Sequence, residues 1–385
     1  MERSLFGENT TGLLKEITVQ GKKDWAFVPF SLPNEWNIPG DLWPLLAEAR
    51  EELARLDGVG RHMTNYELLL QPLQKREAIK SSSLEGTYAT PMELLLYEIN
   101  PRKPKSAGDP ANAWREVFNY GSSLQLGQSL MSELPFSLRF IRELHKELLK
   151  NVRGFNKNPG YFRNAQVHIG SDRRFIPPPP KDMLACLNEF EVHLHQHKKI
   201  DPLLYCFMAH YQFEAIHPFL DGNGRVGRLL LSLMIYQLCN LTNPWLYLSA
   251  YFDKHKDEYI DSLFKVSSEG DWYRWAAFCL RGTIQESKNA IQRIDNLLQL
   301  RDEYQNKMLE VGGNIRLSRI IEKLFEFPAT SVPQIIKLNS ISFPTAKSDI
   351  EKLMNIGVLH KSTIATRPQV YFALGIMDAA YSDLT

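Results

Sequence analysis

Residues 217–228 read HPFLDGNGRVGR, and this polar stretch separates two strongly apolar segments. Both flanking segments carry apolar side chains at the three- and four-residue spacing of a helix. They include Leu204, Phe207, Met208, Tyr211 and Ile216 before the stretch, and Leu229, Leu230, Leu233, Met234 and Leu238 after it. The sequence therefore predicts a polar loop held between two buried helices, which is a rigid support for a functional site.

The residue types in this loop suit the binding of phosphate. Gly222 and Gly224 allow backbone conformations that are closed to other residues, so successive N–H groups can form a concave anion site. This site begins the next helix, whose N-terminus also favours anions. Arg225 and Arg228 are three residues apart and share a helix face, and each guanidinium can donate two hydrogen bonds to phosphate oxygens.

Two further side chains add chemistry to the predicted phosphate site. Asp221 supplies a hard oxygen ligand for Mg²⁺, which normally bridges a protein carboxylate and substrate phosphates. His217 has an ordinary pKa near neutrality and is the natural general base. Each feature alone is common in proteins as a structural histidine, a turn or a solvated arginine. Because all of them occur within one short stretch, we interpret the stretch as a catalytic site.

The stretch resembles the signature of the Fic family, His-x-Phe-x-(Asp/Glu)-Gly-Asn-Gly-Arg-x-x-Arg, and fills every fixed position. The resemblance implies transfer of AMP from ATP to a Tyr, Thr or Ser hydroxyl of a protein, with pyrophosphate release. It implies that His217 deprotonates the hydroxyl, that Asp221 holds Mg²⁺ and that Phe219 anchors the loop. The implied phosphate ligands are Gly222, Asn223, Gly224 and Arg225 for the α- and β-phosphates, and Arg228 for the γ-phosphate.

Residues 81–86, SSSLEG, resemble the inhibitory motif (Ser/Thr)-x-x-x-Glu-(Gly/Asn) of the same family. The motif comprises Ser81, Glu85 and Gly86, and its position corresponds to the class whose inhibitory helix precedes the catalytic core. Ser81 and Glu85 are one helical turn apart, so Glu85 can pair with Arg228 and occupy the group needed for the γ-phosphate. The alternative is a solvated glutamate at a helix end. A second implied role is the positioning of water to remove AMP from a modified protein.

The resemblance implies three further features. A hairpin over residues 167–175, turning at 170–172, takes the place of the family's flap, which aligns the target through backbone pairing. Tyr259 corresponds to an aromatic residue that lines the adenine pocket, although a core aromatic explains it equally well. Doc, a relative, has a lysine in place of Gly224 and acts as a kinase, so the glycine favours nucleotidyl transfer here.

The predicted architecture is all-α with a small β-hairpin flap and a C-terminal winged helix-turn-helix. We expect an N-terminal helical region with the inhibitory helix over residues 1–110, a catalytic core over 111–300 and the winged-helix-like domain over 312–385. The first 40 residues are expected to be irregular, with helices beginning near residues 42 and 65. In the C-terminal part we expect three helices, over 316–326, 331–338 and 343–356, followed by a hairpin.

Bulk composition narrows the class of protein. The chain has 385 residues, ordinary globular composition and a formal net charge of +1, so no global attraction to nucleic acid or anionic membrane is indicated. The four cysteines lack metal-ligand spacing and are expected to be buried in a cytosolic protein. No apolar run is long enough to cross a membrane.

Other functions remain open at this stage. Residues 312–385 carry eight Lys or Arg and six Asp or Glu, a weak footprint for a DNA-binding regulator with a nucleotide-sensing core. A donor other than ATP is another alternative. The resemblance also makes self-modification and a homodimer reasonable expectations.

Overall fold

The computed structural model describes residues 1–19, 21–61, 66–152, 158–170, 174–196, 199–364 and 366–384. Helices dominate the described residues, which confirms the predicted fold class. The N-terminal half contains α1 (Trp43–Arg61), α2 (Glu67–Leu84), α3 (Pro91–Ile99), α4 (Ala111–Leu130), α5 (Leu138–Leu148) and α6 (Pro180–His195). The later helices are α7 (Pro202–Ile216), α8 (Asn223–Leu238), α9 (Ser249–Lys254), α10 (Lys256–Glu269), α11 (Trp272–Glu310), α12 (Ile315–Glu326), α13 (Val332–Asn339), α14 (Phe343–Asn355) and α15 (Leu374–Tyr381).

The helices α7 and α8 form the centre of the molecule and flank the polar loop. They pack on each other, with α4 and α5 against α8 and with α10 and α11 against α7. Neighbours cover α7 on most sides, so its residues are almost all buried, and Phe207, Phe213 and Ile216 are fully buried. The predicted pair of buried helices is therefore confirmed.

The prediction that the first 40 residues are irregular is wrong. Residues 12–29 form an antiparallel pair, β1 (Gly12–Val19) and β2 (Lys22–Pro29), with Gly21 at φ +78° in the turn. Ile17, Thr18 and Val19 are β-branched residues that favour a strand. Phe27 is fully buried, and its N–H donates to the carbonyl of Ile176, which fixes the hairpin on the core.

The predicted flap is only partly described. Ile169 and Phe175 form one antiparallel bridge, with the Ile169 N–H donating to the Phe175 carbonyl at 2.9 Å. Residues 171–173, which contain most of the predicted turn, lie outside the described residues. Helix α2 begins at Glu67, and part of the predicted start near residue 65 also lies outside them.

Helix α2 carries the predicted inhibitory motif and lies between the core and the C-terminal part of the chain. It ends at Leu84, and Gly86 has φ +78°, as expected for a glycine that terminates a helix. The helix packs against α4 and α9 of the core and against α12 and α15 near the C-terminus. Arg76 donates to Glu286 of α11 at 2.8 Å and to Asp383 near the C-terminus at 2.7 Å, so it links α2 to both of these parts of the chain.

The C-terminal helices α12, α13 and α14 lie where three helices were predicted. They are followed by β4 (His360–Lys361) and β5 (Val370–Phe372), and β5 also pairs with β3 (Ala329–Ser331) in a three-stranded antiparallel sheet. The assignment as a winged helix-turn-helix stays a prediction. Helix α11 continues past residue 300 into the segment before α12. Among the described residues, no helix combines the length and apolarity needed to cross a bilayer.

We predict that Phe27→Ala lowers the free energy of unfolding by about 3–5 kcal/mol because it removes a fully buried aromatic ring that packs against Phe175. Urea unfolding followed by circular dichroism measures the change. The matched control is Leu13→Ala on the paired strand, where the side chain is 62% exposed and a change within about 0.5 kcal/mol is expected. Equal unfolding midpoints for the two variants would contradict this role of the hairpin.

Candidate active site

The polar loop is bounded by two left-handed residues. His217 ends α7 with φ 50° and ψ 63°, and Gly222 precedes α8 with φ 77°. Asn223 closes the loop: the Phe219 N–H donates to its Oδ1 at 2.8 Å, and its Nδ2 donates to the Phe219 carbonyl at 2.9 Å. Asn223 and Phe219 are both buried, so the loop has little freedom to rearrange.

A histidine on α5, His145, supports the loop through contacts with Phe219 and Asp221. The ring of His145 stacks on Phe219 with centroids 3.7 Å apart. Its Nδ1 accepts from the Gly160 N–H at 2.8 Å, so Nε2 carries the proton and donates to the Asp221 carbonyl at 3.0 Å. Sequence reasoning missed this residue because a single histidine on an amphipathic helix does not reveal its partners.

The N-terminus of α8 lies where the sequence predicts an anion site. The first intrahelical bond runs from the Val226 N–H to the Gly222 carbonyl, so the N–H groups of Asn223, Gly224 and Arg225 have no carbonyl within the helix to bind. The buried guanidinium of Arg225 donates to Glu116 at 3.2 Å. Glu116 was also missed from sequence, since it is 109 residues away from its partner.

Arg228 contacts the predicted inhibitory motif. Its Nε donates to the Ser81 hydroxyl at 2.8 Å, and its Nη2 donates to the Ser81 carbonyl at 2.9 Å. The same Nη2 donates to Glu85 Oε1 at 2.8 Å. The predicted pair between Glu85 and Arg228 is thus present, and it joins the end of α2 to the first turns of α8.

The carboxylate of Glu85 also lies over the anion site. A Cβ added at Gly224 would overlap Glu85 Oε1 and would lie 2.9 Å from Arg228 Nη1. Burial raises the pKa of Glu85, but Arg228 outweighs this effect with help from Arg225, so the pKa is lowered overall. An ionised carboxylate therefore occupies the position that the sequence assigns to phosphate.

His217 lies beside this anion site. Burial and, to a smaller extent, the positive charge of Arg163 lower its pKa to about 4, against the opposing influence of Glu85 and Asp221. The imidazole is consequently neutral at physiological pH. A neutral imidazole can accept a proton, which is what a general base requires.

Asp221 is the one predicted metal ligand. Its side chain is 34% exposed, its Oδ1 accepts from the Gly222 N–H at 2.8 Å, and Arg225 Nη2 lies 3.8 Å away. Within the described ranges, no group of three or more His, Cys, Asp or Glu could hold a metal ion. A single accessible carboxylate fits Mg²⁺, which often takes its other ligands from substrate phosphates and water.

Tyr259 is a core aromatic rather than an open pocket wall. It is buried, its ring stacks on Phe252 at 4.5 Å, and its hydroxyl lies 2.9 Å from His210 Nε2. Its hydroxyl also interacts with Arg228, so Tyr259 borders the site through that arginine. A role for Tyr259 in binding adenine stays a prediction.

The loop and its supports define a helical protein with glycines and two buried arginines at a helix N-terminus. The profile described as "Fic/DOC family N-terminal" matches residues 43–129, and the profile described as "Fic/DOC family" matches residues 135–235. Over residues 43–129 and 135–235 the chain therefore belongs to the Fic/DOC family.

Known proteins resemble the chain over part of their length. "Protein adenylyltransferase Fic" of Drosophila grimshawi is 30% identical over 46% of this chain and 36% of the relative. The protein of the same name from Drosophila mojavensis is 32% identical over 41% of this chain and 30% of the relative. The match thus spans only about a third of the length of these curated relatives.

Two solved structures share the fold. A Fic family protein from Desulfovibrio desulfuricans G20 superposes with a TM-score of 0.56 at 18% identity, covering 88% of this chain and 97% of that chain. Fic-1 from C. elegans superposes with a TM-score of 0.52 at 20% identity, covering 66% of this chain and 76% of that chain. At these identities the comparison supports the fold alone.

We predict that the protein loses stability as the pH falls from about 6.5 to 4. The pKa values of His145 and His217 are lowered to about 4 by burial, so in this range the unfolded chain binds protons that the folded chain does not. His145→Gln should reduce this pH dependence by about 3 kcal/mol. Urea unfolding at several pH values measures it.

His168→Gln, at an exposed position, is the control for this experiment. An equal pH dependence for the wild type, His145→Gln and His168→Gln would rule out the neutral, buried state of His145.

Proposed function

We propose that this protein transfers AMP from ATP to a Tyr, Thr or Ser hydroxyl of a protein, with Glu85 holding the activity in check. The single observation that carries the proposal is the carboxylate of Glu85 on Arg228 above Gly224, beside a neutral His217. The position of this carboxylate supports anion binding by the same groups. The name "protein adenylyltransferase Fic" of the curated relatives supports the same reaction.

The donor site follows from the groups at the N-terminus of α8. The N–H groups of Gly224 and its neighbours and the guanidinium of Arg225 would bind the α- and β-phosphates, and Arg228 would bind the γ-phosphate. Because Gly224 has no side chain, it leaves room for the whole triphosphate, which favours nucleotidyl transfer over phosphorylation. Mg²⁺, held by Asp221, would neutralise phosphate charge in the reaction.

His217 acts on the acceptor. Its neutral imidazole takes the proton of the target hydroxyl as the oxygen attacks the α-phosphorus. A new bond forms between that oxygen and the α-phosphorus, and the bond from the α-phosphorus to the oxygen bridging to the β-phosphate breaks. Pyrophosphate leaves with the electron pair of that bond. The rigid loop keeps His217 and the phosphate site at a fixed separation, which favours an in-line attack.

The inhibition follows from competition between two anions. Glu85 and a γ-phosphate both require Arg228, and like charges cannot share one guanidinium without a cost. Because of this competition, Glu85 must leave Arg228 before ATP binds productively, by side-chain rotation or by movement of the helix end. The helix end is held by Lys256, which donates to the Leu84 carbonyl at 2.7 Å, and by Arg228, which donates to the Ser81 carbonyl.

We predict that Glu85→Gly raises AMP transfer by at least about tenfold because Arg228 becomes available to the γ-phosphate. Purified wild type, Glu85→Gly and Glu85→Gly/His217→Ala are incubated with ATP and Mg²⁺, and intact mass is recorded for self-modification. Added AMP is expected for Glu85→Gly only. Glu133→Gly, an exposed glutamate outside the motif, is the matched control and should behave as the wild type.

The alternatives give different masses. A gain of phosphate would identify a kinase, and a gain of another nucleotide from a mixed donor pool would identify a different donor. Equal labelling of the wild type and Glu85→Gly would refute the inhibitory role. Loss of AMP from a labelled target with the wild type, but not with Glu85→Gly, would assign Glu85 to the removal reaction.

We further predict that Asp221→Asn in the Glu85→Gly background lowers transfer by about 10- to 100-fold at limiting Mg²⁺. The amide keeps the size of the side chain but loses the charge that a hard cation prefers. Transfer rates measured against Mg²⁺ concentration test this. The half-saturating Mg²⁺ concentration should rise in Asp221→Asn, and an unchanged value would exclude Asp221 as the ligand.

A further inference from the structure

Arg163 lies in the segment between α5 and the flap and is 3% exposed. Its guanidinium donates to main-chain carbonyls, and the distances are shortest from Nη2 to Pro178 at 2.6 Å and from Nε to His217 at 2.8 Å. It also donates to Ala165 at 3.1 Å and to Ile216 at 3.4 Å. One buried cation thus binds four carbonyl oxygens.

These carbonyls belong to three different parts of the chain. Ile216 and His217 form the C-terminus of α7, Ala165 precedes the flap, and Pro178 follows it. Burial lowers the pKa of Arg163 to about 10, so the guanidinium stays charged at neutral pH. Carbonyl groups at a helix C-terminus favour a cation, which makes the end of α7 a suitable partner.

The conformation of His217 depends on support of this kind. A non-glycine residue with φ 50° is in the left-handed region, which costs about 1 kcal/mol or more and persists only where the surroundings impose it. Arg163 contacts the main chain on both sides of this residue. Its side chain binds the Ile216 and His217 carbonyls, and its own N–H donates to the Pro218 carbonyl at 2.9 Å.

Arg163 also contributes to the charge around the imidazole. Burial and Arg163 lower the pKa of His217, while Glu85, the Glu214 carbonyl and Asp221 raise it. Two effects of Arg163 can therefore be separated. One depends on the fork of hydrogen bonds, which only a guanidinium provides, and the other depends on positive charge, which lysine also provides.

We propose that Arg163 is the positioning residue of this site, which holds the main chain of His217 and the two segments that flank the flap in one arrangement. The inference rests on the proposed function, since it assumes that His217 is the base and that the flap aligns the target. Without the guanidinium, the imidazole and the flap would lose their common support, while the phosphate site at α8 would stay intact.

The test uses Arg163→Lys and Arg163→Ala in the full-length Glu85→Gly protein, with Arg293→Lys as the matched control. Arg293 is also a mostly buried arginine, and it donates to the Ala380 carbonyl at 2.9 Å in a different part of the molecule. We expect kcat to fall about 100-fold in both Arg163 variants, as for a displaced catalytic group. The KM for ATP should change less than about twofold because phosphate binding is unaffected.

Two further readouts separate positioning from a merely structural role. Added guanidinium should restore transfer in Arg163→Ala but not in Arg163→Lys, where the ammonium fills the space. The acidic limb of the pH profile should move to higher pH in Arg163→Ala, which loses the charge, and stay in place in Arg163→Lys. A kcat within twofold of the parent, or equal losses in kcat, ATP binding and thermal stability without rescue, would overturn the proposal.

A measurement on His217 separates failure of this inference from failure of the proposed function. Titration of the His217 imidazole by NMR needs no turnover, and its pKa should rise in Arg163→Ala and remain near 4 in Arg163→Lys. In the same spectra the main-chain amide signal of His217 should move in both Arg163 variants, since both lose the fork of hydrogen bonds. If the Glu85→Gly parent transfers nothing and the amide signal still moves in both variants, the proposed reaction fails and the positioning role stands. An amide signal that stays in place in both variants overturns the positioning role whether or not transfer occurs.

Discussion

The buried positive charge of Arg228 is the constraint on which the rest of the site depends. An unpaired buried guanidinium would cost several kcal/mol, so the fold must supply anions and acceptors around it. Glu214 is close enough to interact with Arg228, but burial raises the pKa of Glu214 to about 8, which leaves it largely protonated at pH 7. Glu85 is therefore the ionised partner, and Ser81 supplies the neutral acceptors. In the proposed function a phosphate replaces Glu85 on Arg228, so the proposed inhibition and the proposed substrate binding would follow from one electrostatic requirement.

Helix α2, which leads to Glu85, is held in place by buried polar contacts. Glu77 accepts from the hydroxyls of Tyr120 and Ser249, which fixes the middle of the helix to α4 and α9. Arg76 fixes its outer face to α11 and to the C-terminal residues. Glu85 lies beyond the last turn and is 39% exposed, so its side chain can turn away while the helix stays in place. In the proposed function the side chain of Glu85 must leave Arg228, and this side chain is more exposed than the buried Ser81 of the same motif.

The sequence predicted the features that depend on local residue types. The loop at 217–228 could be found because glycines, arginines, a carboxylate and a histidine fall within a few residues of one another. The partnership of Glu85 and Arg228 followed from a second short motif. The roles of His145, Glu116 and Arg163 could not be found in this way, because their partners lie 76, 109 and 54 residues away in sequence. The N-terminal hairpin was missed because its strands mix exposed and buried residues without a clear alternation.

The free space beside Gly224 serves two purposes. Glu85 Oε1 occupies the volume that a Cβ would fill, and in the proposed function the triphosphate approaches the backbone through the same space. Any heavier residue at this position would therefore displace the carboxylate of Glu85 and also fill space that the proposed function gives to the triphosphate. Under that proposal, a single substitution at Gly224 would change the choice of donor and remove the inhibition together, so the two properties could not evolve separately at this position.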